Sequence, residues 1–439
     1  MNMHVMDAPA SPTQGFLFGR GPAWFAYGMT VALMIFDYVD RQVIVSMFPF
    51  LRTEWGLSDK ELGLLVSVIS ITVAVFGIPV AWIADRVSRV RSIAAMAVLW
   101  SIACISCMFA RSYAQLLVAR AIVGLGEAGY GSVGAAMIAT HFPQRMRGGL
   151  LGGFFASASV GSVLGVILGG VIATHFGWQA AFGVVGVPGL MIALAYVFVR
   201  DYETIETAAA GGTAATTRRD MFRAMLRSRT VLFVCIGAAA QLIAVSALWA
   251  WLPSFLNRVH GVAPDRAGIQ AALVVLAGAL GSLVLGAVVD RAGSYRPGAK
   301  FVAIATLSLL SMLTLMLAFG GARAGIALNA ASQFRLILLG GFLSTCTVGP
   351  AAAIVIDVVH PGVRSIGASV LSLVQNLCGL AAGPFLAGVL SDAVGLQAAL
   401  ALTPLSCILA ALCFLCAGSS YAVHTRQVGT GVDHTLATP

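Results

Sequence analysis

The first apolar segment of the chain, from about Ala23 to Phe48, contains two aspartates and an arginine. On a helix, Asp37, Asp40 and Arg41 are spaced i, i+3, i+4 and therefore share one face. A charge at the centre of a bilayer costs from roughly 3 to more than 10 kcal/mol. Charged side chains persist there when they pair or line a water-filled path, so this segment predicts a functional site.

A second set of charges lies in a later apolar segment, from Leu116 to Phe142. Arg120 and Glu127 are seven residues apart and again share one helical face. At 1.5 Å per residue, Asp40 sits ~25 Å up the first segment and Arg120 ~8 Å down the fourth, which places them at similar heights in a ~30 Å core. We therefore expect three acids and two bases to form one cluster.

The cluster suggests proton chemistry. An acid that loses its cationic partner inside a low-dielectric region binds a proton more readily, and this couples proton movement to conformation. We expect Asp40, Glu127 or Asp37 to carry the proton. The alternative is a salt-bridge cluster that only fixes helix packing.

The composition is that of a multi-pass membrane protein. The chain is 59% hydrophobic and 10% charged, whereas soluble proteins carry about 25% charge. Its 439 residues allow about twelve spans of ~20 residues. The net charge of +9 is attributed to cytoplasmic loops rather than to nucleic-acid binding. The eight cysteines fall almost entirely inside apolar segments, so we interpret them as packing residues and expect no metal site.

We predict an all-α fold of twelve spans in two bundles of six helices. The longest polar connector separates the sixth span from the seventh. With the N-terminus inside, 17 Lys and Arg residues fall on the inner side and 7 on the outer side, so both termini are predicted to be cytoplasmic. The expected division is an N-terminal tail at 1–22, a bundle at 23–200, a linker at 201–229, a bundle at 230–418 and a C-terminal tail at 419–439.

The two halves repeat each other in sequence. Residues 167–182 align without gaps to residues 385–400, an offset of 218. A second correspondence, between spans two and eight, matches Asp85-Arg86 with Asp290-Arg291. Because turns and charged loop residues align together, the sequence predicts a parallel duplication of a six-helix unit.

The loops after spans two and eight carry an Asp-Arg pattern that resembles the signature of the major facilitator superfamily. The first loop departs from it, with Ala81 and Ser88 where glycine is usual. The resemblance implies transport by alternating access, with the loop residues holding the cytoplasmic ends of the halves together in an outward-open state. Plain positive-inside charge is the alternative reading. These gate residues are Asp85, Arg86, Arg89, Asp290 and Arg291.

The local sequence around the charges is similar to the spinster-type branch of this superfamily, and partly to organic-anion and sugar-acid carriers. The matching segments are Asp40-Arg41-Gln42 before Pro49, Gly124 to Tyr130, and Leu390-Ser391-Asp392. This resemblance implies that Asp40, Arg41, Arg120 and Glu127 form a polar centre involved in proton coupling and conformational switching.

Further residues are candidates for lining a central cavity. We expect the cavity to contain Arg41, Arg120, Tyr38, Tyr130, Gln241 and Asn376. Trp249 and Trp251 are interpreted as membrane-interface residues.

The predicted function is secondary active transport of a small organic solute, driven by a proton gradient with no other cofactor. Two buried arginines favour an organic anion such as a carboxylate. The spinster resemblance implies instead an amphipathic solute, such as a lysolipid or a drug-like molecule, that is exported. No catalytic constellation is present in the spans, so an enzyme is not expected. We expect a monomer in a bacterial inner membrane.

Overall fold

The protein is described by a computed structural model over residues 16–201, 228–296, 298–321, 325–326, 328–359 and 364–433. Most of the predicted linker, the N-terminal tail up to residue 15 and the side chain of Asp85 lie outside the described residues. The described residues form twelve helical spans, which are numbered here in chain order.

Spans 1 to 6 make up the first half. Span 1 narrows into a 3-10 turn at Ile44–Met47, and span 4 is interrupted after Glu127. The bounds are Arg20–Val43 and Phe48–Trp55 for span 1, Asp59–Val87 for span 2, Arg89–Cys107 for span 3, Tyr113–Glu127 and Tyr130–His141 for span 4, Gln144–Phe176 for span 5, and Trp178–Ala195 for span 6.

Spans 7 to 12 make up the second half. Span 10 is interrupted after Ser344, and span 11 contains a π-helical turn at Asn376–Leu380. The bounds are Arg229–His260 for span 7, Pro264–Tyr295 for span 8, Ala299–Gly320 for span 9, Ala330–Ser344 and Val348–Val358 for span 10, Arg364–Gln375 and Ala382–Val394 for span 11, and Leu396–Leu402 and Ser406–Asp433 for span 12.

Eleven of the described spans are long and apolar enough to cross a membrane. Span 1 is not among those eleven, and it is the span that carries Asp37, Asp40 and Arg41. The last helix runs to Asp433, so it continues beyond the predicted end of the second bundle at residue 418.

The duplication is visible in the backbone. Spans 4 and 10 are interrupted at matching positions. Span 4 breaks after Glu127, and span 10 breaks at Thr345, which is 218 residues later. In span 4 the chain turns through Gly129 at φ +83°, a conformation that favours glycine. Spans 1 and 7 both end at a left-handed glycine, Gly56 and Gly261. These two glycines are 205 residues apart, the same offset that separates Asp85 from Asp290 in the matching loops.

Span 5 holds span 1 through a row of glycines. Gly161, Gly165 and Gly169 lie against the carbonyl groups of Ile35, Val39 and Val43. A Cβ atom at Gly165 would lie 2.6 Å from the Val39 oxygen, so no larger residue fits there without movement. Small residues of this kind let membrane helices approach closely. The packing fixes the rotation of span 1 and therefore the direction of its charged face.

The two halves meet at the end of the bundle where spans 2 and 8 begin, which we call the sealed end. There Ser67 donates a hydrogen bond to the Ala381 carbonyl, and Gly170 and Gly268 let spans 5 and 8 approach each other. Toward the other ends of spans 5 and 8, Gly152 and Gly286 have no neighbouring atom within 4 Å of a Cβ position. Contact between these two helices is therefore concentrated at the sealed end.

We predict that Gly165→Val destabilises the protein by about 1–3 kcal/mol, because the added methyl groups overpack the contact between spans 1 and 5. Gly152→Val, on the same helix, is the matched control, since a Cβ there meets nothing. Thermal unfolding of the purified protein in detergent measures both. Equal melting temperatures for the two variants would contradict the packing role of the glycine row.

Candidate functional site

The charged residues of spans 1 and 4 come together as the sequence predicts. Arg41 Nε lies 2.9 Å from Glu127 Oε2 and 3.1 Å from Asp37 Oδ1. The Glu127 side chain is fully buried and that of Asp37 is 5% exposed. The Nε–H group donates its hydrogen bond to Asp37 of the same span, whereas the contact with Glu127 of span 4 is an ion pair without a hydrogen bond.

The other end of this guanidinium remains available. The Arg41 side chain is 17% exposed, and among the described residues its Nη1 and Nη2 atoms donate no hydrogen bond. Its guanidinium carbon lies 5.3 Å from the centre of the Tyr38 ring. A planar fork with two free donors matches the geometry of a carboxylate or phosphate.

The second ion pair, between Arg120 and Asp40, is buried inside the first half. Arg120 Nη1 contacts Asp40 Oδ1 at 3.1 Å and the Asp40 carbonyl at 3.0 Å. The side chains are 0% and 2% exposed. The Cys104 thiol donates a further hydrogen bond to Asp40 Oδ1 at 3.1 Å. Sequence reasoning missed this thiol, because a cysteine in an apolar span gives no signal of a polar partner.

The Asp40–Arg120 pair does not satisfy all of its hydrogen-bonding atoms. Asp40 Oδ2 and Arg120 Nε and Nη2 are buried and have no partner among the described residues. Buried polar atoms without partners are costly. Arg120 is therefore held to Asp40 through Nη1 alone, and the hydrogen bonds of the pair do not form a saturated network.

The local structure of span 4 explains how both pairs form. Gly124 and Gly126 lie against Ile69 of span 2 and Trp100 of span 3, where a Cβ would clash. The helix then ends at Glu127, and the chain passes through Ala128 in an extended conformation. Arg120 and Glu127 are thus on a short helix that is clamped on two sides, with Glu127 at its end.

The second half shows what the same geometry looks like without charge. The repeat offsets place Leu242, Val245 and Ser246 where span 1 has Asp37, Asp40 and Arg41, and Leu338 and Thr345 where span 4 has Arg120 and Glu127. There neutral hydrogen bonds join span 7 to span 10, from Gln241 Nε2 to the Ser344 carbonyl at 3.0 Å, and span 10 to span 8, from Thr345 Oγ1 to the Gly278 carbonyl at 2.7 Å. The fold therefore does not require charges at these positions, which favours a functional over a purely structural cluster.

Two of the remaining cavity candidates are partly exposed, and two are buried. Tyr38 and Asn376 are partly exposed, and the Asn376 amide donates to the Ser372 carbonyl of its own helix at 2.9 Å. Tyr130 and Gln241 are fully buried. Tyr130 donates to the Thr30 carbonyl at 2.6 Å and packs against Trp100, because the turn at Gly129 directs the chain into the bundle. Tyr130, Gln241 and Arg120 are therefore buried between helices and do not line an exposed surface.

The gate motif lies away from the sealed end. Arg86 stacks on Trp82 of its own span, with 3.7 Å between the guanidinium carbon and the ring centre, and Arg89 donates to Thr140 Oγ1 at 3.4 Å. These partners belong to the same half as the arginines. In the second loop, Asp290 and Arg291 are exposed.

Trp251 does not fit its interpretation as an interface residue. Its side chain is fully buried, its ring centre lies 5.0 Å from that of Phe48, and its indole N–H donates to the Pro384 carbonyl at 3.0 Å. It therefore joins spans 1, 7 and 11 across the two halves at the sealed end. Trp249 is partly buried and packs beside Gly278.

The comparison with family models agrees with this architecture. Residues 30–382, most of the chain, match the model of the Major Facilitator Superfamily. The chain belongs to the major facilitator superfamily. It is a multi-pass membrane transporter of that fold and not an enzyme.

Individual relatives confirm the resemblance found in the sequence. The protein spinster of Drosophila melanogaster is 26% identical over 404 residues, which cover 89% of this chain and 66% of that protein. The hexuronate transporter of Bacillus subtilis is 25% identical, with 82% and 86% covered. The sphingosine-1-phosphate transporter of Danio rerio is 26% identical, with 82% and 74% covered.

A solved structure shows the same fold. The crystal structure of a bacterial homologue of the human lysosomal transporter Spinster superimposes with a TM-score of 0.81 at 22% identity. The match covers 92% of this chain and 98% of that one. The predicted all-α fold of two six-helix bundles is confirmed.

We predict that Arg120→Met destabilises the protein by about 3 kcal/mol, because it leaves the Asp40 carboxylate buried without a cation. Adding Asp40→Asn to the same chain is expected to restore part of the stability, since the unpaired charge is then gone. Thermal unfolding in detergent measures both variants. If the double variant is no more stable than Arg120→Met, the pair does not carry the predicted coupling.

Proposed function

We propose that this protein is a proton-coupled transporter of a small organic anion. The observation that carries the proposal is the Arg41 guanidinium, which is partly exposed and donates no hydrogen bond from its two terminal nitrogens, while its Nε lies beside two carboxylates. An anionic solute can bind the free donors in a bidentate way. The same event weakens the hold of Arg41 on Glu127 and Asp37, which compete for its charge.

The charge balance of the site supports proton coupling. With all five groups ionised, the three acids and two bases carry a net charge of −1. A bound monovalent anion would make the net charge of the site −2, which is unfavourable in a low-dielectric region. Proton uptake by a carboxylate compensates for the added charge. Glu127 suits this role because it is fully buried and Arg41 is its ion-pair partner. Proton and anion would then travel in the same direction.

The Asp40–Arg120 pair would serve the conformational step. It ties span 1 to span 4 inside the first half, out of reach of a solute. Protonation of Asp40 would weaken its ion pair with Arg120 and so loosen span 1 from span 4 without a direct contact to the solute. We therefore assign solute binding to Arg41 and transmission to Asp40, Arg120 and Cys104.

We take the sidedness of the protein from its charge distribution. The excess of Lys and Arg assigns the loops opposite the sealed end to the cytoplasm. The sealed end would then face outward, and the described state would be inward-facing. We further propose a monomer in a bacterial inner membrane, with both termini cytoplasmic.

An amphipathic anion is the second candidate. The relative from Danio rerio is named for a phosphate-bearing lipid, whereas the relative from Bacillus subtilis is named for a sugar acid. The free donors of Arg41 fit either head group. The partly exposed ring of Tyr38 beside Arg41 adds an apolar contact that suits a hydrocarbon chain. The size and polarity of the solute beyond its head group separate the two candidates.

We predict that a solute drives proton movement in proteoliposomes loaded with a pH dye, and that Glu127→Gln abolishes it. The panel should contain monocarboxylates, sugar acids and a lysophospholipid. Counterflow of labelled solute, which needs no gradient, shows whether the variant still binds and exchanges. Solute uptake that is unaffected by a pH gradient and by Glu127→Gln would make the protein a uniporter and refute the coupling.

We also predict that Arg41→Lys raises the KM for the solute by about tenfold or more, because an ammonium cannot form the two parallel hydrogen bonds of a guanidinium. Arg335→Lys is the matched control, since the Arg335 side chain is exposed and bonds only within its own helix among the described contacts. Initial rates of uptake over a range of solute concentrations measure this. An unchanged KM would remove Arg41 from the binding site.

A further inference from the structure

The sealed end consists of two contacts that correspond to each other in the duplicated fold. Span 2 packs on span 11 where Gly388 lies against the carbonyl of Asp59, and we call this contact the 2–11 seam. Span 8 packs on span 5 where Gly170 lies against the carbonyl of Pro264, and we call this the 5–8 seam. The offsets of 218 and 205 carry Gly170 onto Gly388 and Asp59 onto Pro264. The backbones therefore match, and any difference arises from side chains.

The 2–11 seam is closed by a carboxylate at a helix N-terminus. Asp392 of span 11 accepts hydrogen bonds from the backbone N–H groups of Asp59, at 2.8 Å, and Lys60, at 2.9 Å. These are the first two residues of span 2, where free N–H groups and the helix dipole favour a negative charge. The contact joins the two halves of the protein.

A second set of bonds at the 2–11 seam converges on the Asp59 side chain. Arg258 Nη1 of span 7 lies 2.8 Å from both carboxylate oxygens, and Ser391 of span 11 donates to Oδ2. The Asp59 side chain is 4% exposed. A paired charge that is withdrawn from water in this way is costly to leave without its partner.

The 5–8 seam lacks these bonds. Pro264 stands where Asp59 is in span 2 and has no backbone N–H to donate. Thr174 stands where Asp392 is in span 11, and its hydroxyl donates to the Gly170 carbonyl of its own helix at 2.8 Å. Asp265 is nearby, but its buried Oδ1 has no hydrogen-bond partner among the described residues. Close packing of glycines against backbone therefore provides this contact.

We propose that the two seams have different roles when the sealed end opens: the 2–11 seam is a lock that must be broken, and the 5–8 seam is the hinge. Hydrogen bonds and ion pairs are either made or lost, whereas a glycine contact accommodates small rotations. A cavity of about 320 Å³ beside the lock is lined by Arg52, Asp59, Arg258, Ser391 and Gln397. Water in this space can solvate the charged groups as they separate. The proposal does not depend on the identity of the solute or on proton coupling.

Two buried positions can report on the seams separately. Ser67 in span 2 is 1% exposed, and its counterpart in span 8 is Ala272, at 3%. Each is replaced by cysteine in a chain in which Cys378 and Cys416, the two exposed cysteines, are replaced by serine and the buried cysteines are retained. The rate of reaction with a water-soluble maleimide in detergent then measures how often each seam opens.

The lock is tested with two arginines that both contact Asp59. Arg258→Gln removes the bond between the halves, whereas Arg52→Gln removes a 3.1 Å contact within the first half. We expect Arg258→Gln to raise the labelling rate at Ser67→Cys by roughly tenfold or more, as the loss of a buried pair allows. Labelling at Ala272→Cys should change much less, and Arg52→Gln should leave both rates near those of the parent chain.

Folding of each variant is judged by monodisperse elution in size-exclusion chromatography. If Arg258→Gln does not fold, the labelling rate of Ser67→Cys is measured in the milder variant Ser391→Ala, which removes the Ser391 hydrogen bond to Asp59. The proposal is overturned if neither variant accelerates labelling of Ser67→Cys. It is also overturned if both reporters accelerate equally, or if Arg52→Gln acts as strongly as Arg258→Gln. Because no transport is measured, a failure here is distinct from a failure of the proposed function.

Discussion

The cost of an unpaired charge in a bilayer is the constraint on which this structure depends. Span 1 brings Asp37, Asp40 and Arg41 into the membrane, and span 4 brings Arg120 and Glu127. The fold satisfies them by crosswise pairing, since each arginine contacts an acid of the other span. The glycine row of span 5 and the clamped helix of span 4 both serve this pairing, because each fixes the rotation of one charged face.

The two arginines are alike in the sequence and unlike in the structure. Arg120 is enclosed and bound to Asp40 through its terminal nitrogen, so its charge is used within the protein. Arg41 is held through Nε, its terminal nitrogens donate no hydrogen bond among the described residues, and its side chain is 17% exposed. One site can therefore combine a fixed ion pair with an exchangeable one. Competition between a solute and a carboxylate for the same cation needs this second arrangement.

Much of this could be predicted from the sequence. Hydropathy predicted the spans, the repeat offsets predicted the duplication, and helix geometry placed Asp40 and Arg120 at similar heights, as their 3.1 Å contact confirms. Other features depend on tertiary structure. The turn at Gly129, which buries Tyr130, follows from a single backbone angle. Residues 59 and 392 are far apart in sequence, and nothing local shows that an Asp-Ser-Arg-Asp network joins them.

The neutral counterpart of the charged cluster has a consequence for how such a protein can evolve. Duplication supplied two equivalent six-helix units, but only the first half retains ionised groups at the positions that join its first and fourth helices. In the mechanism proposed above, energy conversion is confined to one unit. The other unit is then free to accumulate substitutions on its cavity side that alter which molecules are recognised. A family built in this way can diversify in cargo while its means of using a gradient stays unchanged.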